Sequence, residues 1–265
     1  MKQVHYTSGL PRSCSTLLQN LLAQNSLIHA TATSGVHEIM YLSKAFFKTD
    51  EFRSIPNAKT GEAIFLDFMR AGIRNAFDSI TDRPVVVDKS RSWIGSATLL
   101  FQLFPDAKIL VPVRDIRGVL SSMEKKFQAH PGFQTENSQV DTARLQTVEG
   151  RCQFWMDTAP VGIAVQRLHE VARLHKDKVH FVHAESLTSD PQATMSKVWE
   201  YMGMDPIIHN VSNIEQYTHE HELGWPHGDH SVRSEVTPLV PDWDKILGRN
   251  LSEGIHQKFN WIQNL

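Results

Sequence analysis

Ser8-Gly9-Leu10-Pro11-Arg12-Ser13-Cys14-Ser15-Thr16-Leu17-Leu18 decides the fold, together with the short strand-like segment at 4–7 that precedes it. Residues 4–7 read as a buried strand, 9–13 as a turn-rich loop, and the chain from about Ser15 as a helix with Leu17, Leu18, Leu21 and Leu22 on one face. Strand, loop and helix in that order open a parallel α/β unit. A loop of this kind gathers backbone N–H groups at a helix N-terminus and so makes an anion site. The nucleoside-triphosphatase pattern G-x-x-x-x-G-K-[ST], laid from Gly9, keeps Thr16 but meets Cys14 at its second glycine and Ser15 at its lysine. The cation stands instead at Arg12, inside the loop. A triphosphate carried with magnesium needs the lysine, whereas a less charged anhydride can be held by an arginine and hydroxyls. The other reading of these residues is an ordinary helix with a Ser/Thr-rich N-cap, Cys14 being a small buried residue.

Working outward, residues 28–31 read as a second short strand, and helical patterns follow at about 36–48 and 61–79. Pro84-Val85-Val86-Val87-Asp88 is an apolar run closed by a charge, the pattern of a central parallel strand whose C-terminal end meets a site. A helix at about 94–104 leads to Lys108-Ile109-Leu110-Val111-Pro112-Val113, another buried strand. Arg114 and Asp115 close it, and a helix runs on to about Lys126. Residues 127–141 are polar and read as a long loop. Helical periodicity returns over about 142–175, interrupted at Pro160. Residues 178–183 read as a strand, and Asp190-Pro191 as an N-cap with proline at the first helical position of a helix to Met202. Residues 217–241 are irregular and carry His219, His221, His227 and His230, and a last helix starts near Ser252. These elements predict an α/β fold, a single domain over 1–265 with a central, mostly parallel β-sheet flanked by helices.

Composition narrows the function. With 265 residues, 41% of them apolar, the chain can bury a full core without disulfide or metal staples. A net charge of −2 lacks the basic excess of a general nucleic-acid binder, so no nucleic acid is expected as partner and any anionic ligand must be caught by local groups. Cys14 and Cys152 make no disulfide framework, which fits a reducing compartment. No apolar run approaches the roughly 20 residues of a membrane span, and the N-terminus enters a strand without the apolar core of a signal peptide. A cytoplasmic location is the expectation.

A second anion signal lies in Val111-Pro112-Val113-Arg114-Asp115-Ile116-Arg117-Gly118-Val119-Leu120-Ser121-Ser122-Met123. An arginine held at a strand end, with a hydroxyl eight residues later at Ser122, suits a terminal phosphate. Taken alone, Arg114-Asp115 equally fits a structural ion pair. In combination, the two segments resemble the donor-binding motifs of the sulfotransferases that use 3′-phosphoadenosine 5′-phosphosulfate (PAPS). Residues 8–18 resemble that family's 5′-phosphosulfate loop, which usually has glycine where Cys14 stands, and 111–123 resemble its 3′-phosphate motif. The resemblance implies a P-loop NTPase-like fold and transfer of a sulfuryl group to a hydroxyl or amine, leaving adenosine 3′,5′-bisphosphate (PAP) and needing no metal. It puts Pro11, Arg12, Ser13, Cys14, Ser15 and Thr16 around the 5′ end of the donor, and Arg114 with Ser122 on the 3′-phosphate.

In-line sulfuryl transfer also needs a base and cations on the leaving oxygens. His37 and Glu38 lie 25 and 26 residues beyond Arg12, and both also fit a solvated helix start. By resemblance to the carbohydrate- and tyrosine-directed members, which carry a glutamate base at a comparable distance, Glu38 is expected to be the base, with His37 the alternative. In Asp88-Lys89-Ser90-Arg91, the family resemblance puts Lys89 near the transferring group beside Arg12, with Arg91 as a further cation. The other reading makes Asp88 a magnesium ligand. The likeness thins at Ala184, where the family has a tyrosine on the adenine side. It thins again at His230-Ser231-Val232-Arg233-Ser234, where Arg233 replaces a nucleotide-binding lysine. Stretches 40–83 and 127–160 carry no motif and are left to shape the acceptor pocket. The acceptor itself, small molecule, glycan or peptide, and the oligomeric state stay open. The histidine-rich loop admits a zinc reading, but without a cysteine pair or an H-E-x-x-H helix a polar lid is expected. Two other classes stand beside the transferase: a P-loop small-molecule kinase, opposed by Ser15, and a non-catalytic nucleotide-binding protein in which Glu38 is dispensable.

Overall fold

A computed structural model describes residues 2–131, 143–220 and 231–265. The elements run β1 (Gln3–Thr7), α1 (Ser15–Ala23), β2 (Ile28–Ala30), α2 (Val36–Ser43), α3 (Asp50–Arg53), α4 (Ala58–Ile80), β3 (Val85–Lys89), α5 (Ala97–Leu103) and β4 (Ile109–Val113). They continue with α6 (Ile116–Ala129), α7 (Val148–Asp157), α8 (Val161–Leu174), β5 (Val179–His183), α9 (Ala184–Ser189), α10 (Pro191–Met202), α11 (Trp243–Leu247) and α12 (Arg249–Phe259). The strands form one five-stranded sheet in the order β2-β3-β1-β4-β5, with β1 and β2 each parallel to β3. In register, Gln3 faces Val85 and Thr7 faces Lys89. This is the α/β fold expected from the alternation of apolar runs and helical patterns.

By their internal contacts the residues fall into two compact units. The first comprises Met1–Ser8, Thr16–Ile109 and His209–Ser234. Its core is built on β3, all of whose residues are buried, because a strand covered on both faces can be apolar throughout. Tyr6 of β1 is fully buried, its ring 4.6 Å from Trp93 and 6.5 Å from Phe77 of α4. Leu18, Leu21 and Leu22 of α1 are fully buried, as their helical spacing predicts, while Leu17 is half-buried. The segment 209–218 is fastened to α1 by buried amides. Asn20 donates to the Thr16 carbonyl (2.9 Å) and the Thr218 hydroxyl (3.1 Å), and accepts from the backbone N–H of Tyr217 (2.6 Å) and Thr218 (3.1 Å). Gln24 and the Asn210 backbone exchange two hydrogen bonds of 2.9 Å.

The second unit comprises Gly9–Ser15, Leu110–Ile208 and Glu235–Leu265. Leu110, Val111 and Val113 of β4 are fully buried, with Val119 and Leu120 of α6 and Trp155 and Trp199. An ion pair is sealed inside it: Arg151 meets Glu124 through Nε–Oε2 (2.8 Å) and Nη2–Oε1 (2.6 Å), with Glu124 fully buried. A bidentate fork of this kind satisfies both charges at once.

Several boundaries shift from the sequence expectation for local reasons. The pattern over 36–48 breaks at Ser43, where the backbone N–H groups of Lys44 and Ala45 tighten onto Tyr41 and Leu42 and the Ser43 hydroxyl donates to the Ile39 carbonyl (2.7 Å). A 3₁₀ turn, Trp93–Ser96, precedes α5, and α6 continues to Ala129. The expected loop over 127–141 and most of the histidine-rich loop lie, for 132–142 and 221–230, outside the described residues. Asp190 caps α10 as expected, its carboxylate accepting from the Ala193 N–H (3.0 Å).

Candidate functional site

In the second unit, the loop after β1 is shaped by two close contacts. Leu10 donates to the Pro112 carbonyl of β4 (2.9 Å). A Cβ on Gly9 would stand 2.1 Å from that same oxygen, so only glycine allows the loop to lie against the strand. The Ser13 hydroxyl is buried and donates back to Leu10 O (2.6 Å), closing the turn. Arg12 (φ 56°) and Cys14 (φ 60°) both take left-handed backbone conformations on either side of Ser13. Alternation of this sort turns successive N–H groups toward one side, the arrangement that receives an oxyanion. Neither side chain favours it, at a cost of roughly 1 kcal/mol each.

The second anion motif meets this loop within the same unit. Arg114 Nη1 donates to the Arg12 carbonyl (2.9 Å), and Arg12 Nε donates to the Ser122 hydroxyl (3.1 Å). Loop and motif are therefore joined through Arg12, a link that spacing alone did not show. Arg114 lies over Gly118, where a Cβ would come within 2.7 Å of its Nε. Burial lowers the Arg114 pKa from its usual value, opposed by Cys14 and Glu185; an arginine remains cationic regardless. The structural ion pair weighed for Arg114 and Asp115 forms elsewhere. Asp115 caps α6 through Arg117 N (2.9 Å) and grips the Arg117 guanidinium at 3.0 and 2.6 Å, leaving Arg114 to the loop. Arg117 in turn lies 4.4 Å over the Trp243 ring.

The first unit gathers the candidates for proton and charge handling. Gly35, at φ 72°, starts α2, so that His37 and Glu38 fall in its first turn. They diverge in environment: the His37 side chain is 6% exposed and that of Glu38 62%. His37 Nδ1 lies 3.3 Å from Glu38 Oε1, and Nε2 lies 3.1 Å from the Ser96 hydroxyl. The imidazole stands edge-on to Trp93 at 4.9 Å and stacks with Tyr41 at 6.3 Å. Trp93 is itself held by an Nε1–H bond to Asp88 Oδ2 (2.7 Å).

Asp88 accepts from Thr31 Oγ1 (2.6 Å) as well and is fully buried. Burial raises its pKa, with hydrogen bonds from Thr31, Trp93 and Ser34 opposing. Its oxygens thus serve the core, against the magnesium-ligand reading. Lys89, next in β3, is buried with Nζ 3.7 Å from Glu220 Oε1. Desolvation lowers the Lys89 pKa and Glu220 holds it back up. Arg91 is exposed, as is Arg233. Among the described residues, no group of three or more His, Cys, Asp or Glu side chains could hold a metal ion.

Of the remaining predicted positions, Pro11 is buried and Ser15 and Thr16 are half-buried, with Ser15 the first residue of α1. Ala184 is fully buried at the start of α9, and its neighbour Glu185 accepts from the Asp115 N–H (3.2 Å). The sequence reading missed Ser96, Gly118, Asn20 and Glu220. Of these, only Gly118 carried a usable signal, as a glycine inside a helix between two motif residues.

Comparison with known proteins shows the family. A family model described as "Sulfotransferase family" matches residues 7–207. Protein-tyrosine sulfotransferase A of Caenorhabditis elegans is 24% identical over 226 residues, covering 80% of this chain and 56% of that protein. The protein-tyrosine sulfotransferase of Drosophila melanogaster is 23% identical, covering 80% of this chain and 40% of its own length. The chain thus spans about half the length of these relatives. Among solved structures, the sulfotransferase domain of the Synechococcus PCC 7002 olefin synthase superposes with a TM-score of 0.57 at 16% identity, covering 98% of this chain and 96% of that one. A mouse sulfotransferase complexed with PAP gives 0.53 at 11% identity, covering 99% and 85%. At these identities the structures establish a shared fold. With a family model that matches residues 7–207, most of its length, the chain belongs to the sulfotransferase family.

Proposed function

We propose that this protein transfers the sulfuryl group of PAPS to a hydroxyl or amine acceptor. The observation that carries the reading is the convergence of Arg12, Arg114 and Ser122 on a loop that has serine at the triphosphatase lysine. Two guanidinium groups and a hydroxyl, joined to a loop with alternating backbone hand, make a donor set suited to a nucleotide with separate 5′ and 3′ anionic groups. In this reading Arg114 and Ser122 hold the 3′-phosphate, and Arg12 with the N–H groups of 13–16 holds the 5′-phosphate. Pro11 and Cys14 shape the same loop, and Arg233 serves the nucleotide from the C-terminal segment. Glu38 accepts the acceptor proton as the acceptor oxygen or nitrogen bonds to sulfur. The bond from sulfur to the bridging oxygen breaks, and Arg12 and Lys89 stabilise the electron pair left on the 5′-phosphate of PAP. The names of the relatives favour a tyrosine hydroxyl in a peptide as one acceptor class, with small-molecule hydroxyls the other.

Thermal stability measured with PAP, and separately with ATP plus magnesium, tests the reading. PAP is expected to raise the melting temperature. Arg114→Ala should weaken PAP far more than adenosine 5′-monophosphate, since only PAP carries the 3′-phosphate. Stabilisation by ATP and magnesium alone would sink the proposal in favour of a kinase. Equal losses for both nucleotides would remove Arg114 from the 3′ group.

A further inference from the structure

The sequence leaves two neighbouring candidates for the base, His37 and Glu38, and the structure separates their roles. A base must present a lone pair to the acceptor proton. The His37 side chain is 6% exposed, walled by Trp93 and Tyr41. Both of its ring nitrogens face protein groups: Nδ1 the Glu38 carboxylate at 3.3 Å, Nε2 the Ser96 hydroxyl at 3.1 Å. An ionised carboxylate only accepts, so the nitrogen that faces it carries hydrogen. In the neutral ring the lone pair is then on Nε2, directed at Ser96, which is 8% exposed. A hydroxyl facing a bare Nε2 can donate to it and fix that tautomer, as second groups do for functional histidines.

Glu38 presents a carboxylate that is 62% exposed. A surface glutamate at a helix start has several rotamers; one held from behind by a rigid N–H has fewer. Trp93 stands edge-on to the ring at 4.9 Å and is anchored to the fully buried Asp88. We infer that His37 is a positioning residue, locked as the Nδ1–H tautomer by Ser96, which aims the Glu38 carboxylate at the acceptor proton. This rests on the transferase reading for Glu38 but assigns His37 and Ser96 a task that reading leaves open. It also predicts a graded response to substitution, because an asparagine at 37 can keep an N–H near Glu38 whereas an alanine cannot.

Two measurements test it. The first needs no acceptor: protein labelled with ¹⁵N-histidine is examined by two-bond ¹H–¹⁵N correlation, His37 being assigned by the signals lost in His37→Asn. A protonated Nδ1 and bare Nε2 are expected; a protonated Nε2 overturns the inference. The second compares turnover of a panel of phenols, aliphatic alcohols and tyrosine peptides with PAPS. His37→Ala is expected to lower kcat by about 10- to 100-fold, the usual loss for a group that orients a reacting one, with the acceptor KM little changed. His37→Asn should recover most of that loss and Glu38→Gln should abolish turnover. His37→Asn as inactive as His37→Ala, with Glu38→Gln active, makes His37 the base and overturns the assignment. PAP stabilisation is measured on every protein. If PAP stabilises them all while both Glu38→Gln and His37→Ala turn over normally, the positioning role fails and the donor site stands. If PAP fails to stabilise even the unsubstituted chain, the transferase reading itself fails.

Discussion

Cys14 is the residue where sequence and backbone disagree most openly. It holds φ 60° in the loop, a conformation that suits glycine, and the family pattern has glycine there. Cys14→Gly is expected to stabilise the protein by about 1 kcal/mol, less whatever glycine adds to unfolded-chain entropy, as read from urea midpoints. A clear destabilisation would mean that the side chain contributes packing that offsets the strain. Gly118 makes the opposite case. Adding a methyl there puts a Cβ 2.7 Å from Arg114 Nε, and the flexible arginine must move off the helix. Gly118→Ala is expected to weaken PAP by roughly tenfold, about 1.4 kcal/mol, in a titration calorimeter, while leaving the fold intact by circular dichroism. Unchanged PAP affinity would show that the position of Arg114 over residue 118 does not matter for the nucleotide. Motif residues such as Arg12 and Arg114 were legible because their type and spacing are local properties. What glycine at 9 and 118 makes room for was not, since it is set by Pro112 and by the path of the Arg114 side chain.

At the scale of elements, the links that matter join segments far apart in sequence. Asn20 supplies both partners for the backbone of 217–218, almost 200 residues away. Its replacement by alanine leaves two N–H groups without their acceptor, at a cost of about 2–3 kcal/mol. Asn20→Ala should therefore lower the urea midpoint and speed hydrogen exchange at Tyr217 and Thr218 first. Exchange unchanged there would mean that this amide does not hold the segment. Strands and long helices were readable from apolar runs and periodicity, and so was the α/β class. What periodicity could not give were the stops. The helix α2 ends at Ser43, where Lys44 and Ala45 turn to bonds three residues back, although the apolar pattern continues to 48. Likewise Ser96 looks like any helix-start serine until His37 is brought beside it.

For the molecule as a whole, buried histidines are expected to contribute to the response to acid. Burial lowers the His5 pKa from 6.5 to about 4, with Lys108 adding to the shift. His209 is likewise lowered to about 4 by burial, which the hydrogen bond it donates to the Leu21 backbone only partly opposes. A histidine with a depressed folded pKa binds fewer protons folded than unfolded. Its contribution is therefore fully present above about pH 6.5 and is lost as pH falls toward 4. Denaturant midpoints should fall through that window, and His5→Asn, which keeps an acceptor for the Lys108 N–H, should flatten the slope. An equal slope in the variant would assign acid sensitivity to other groups. At the alkaline end the fully buried Cys152, its thiol pushed up to about 12 by burial, should resist alkylation in the native state.

Arg114, Gly118 and Ser122 stand four residues apart: Gly118 leaves room for the Arg114 side chain, and Arg114 and Ser122 both bond to Arg12. This has a use in detection. An arginine and a serine eight apart occur by accident in many chains. Requiring glycine midway, at its average usage of about 7%, discards all but roughly one chance match in fourteen. The empty space under an arginine thereby becomes information that can be searched for in chains whose structures are unknown.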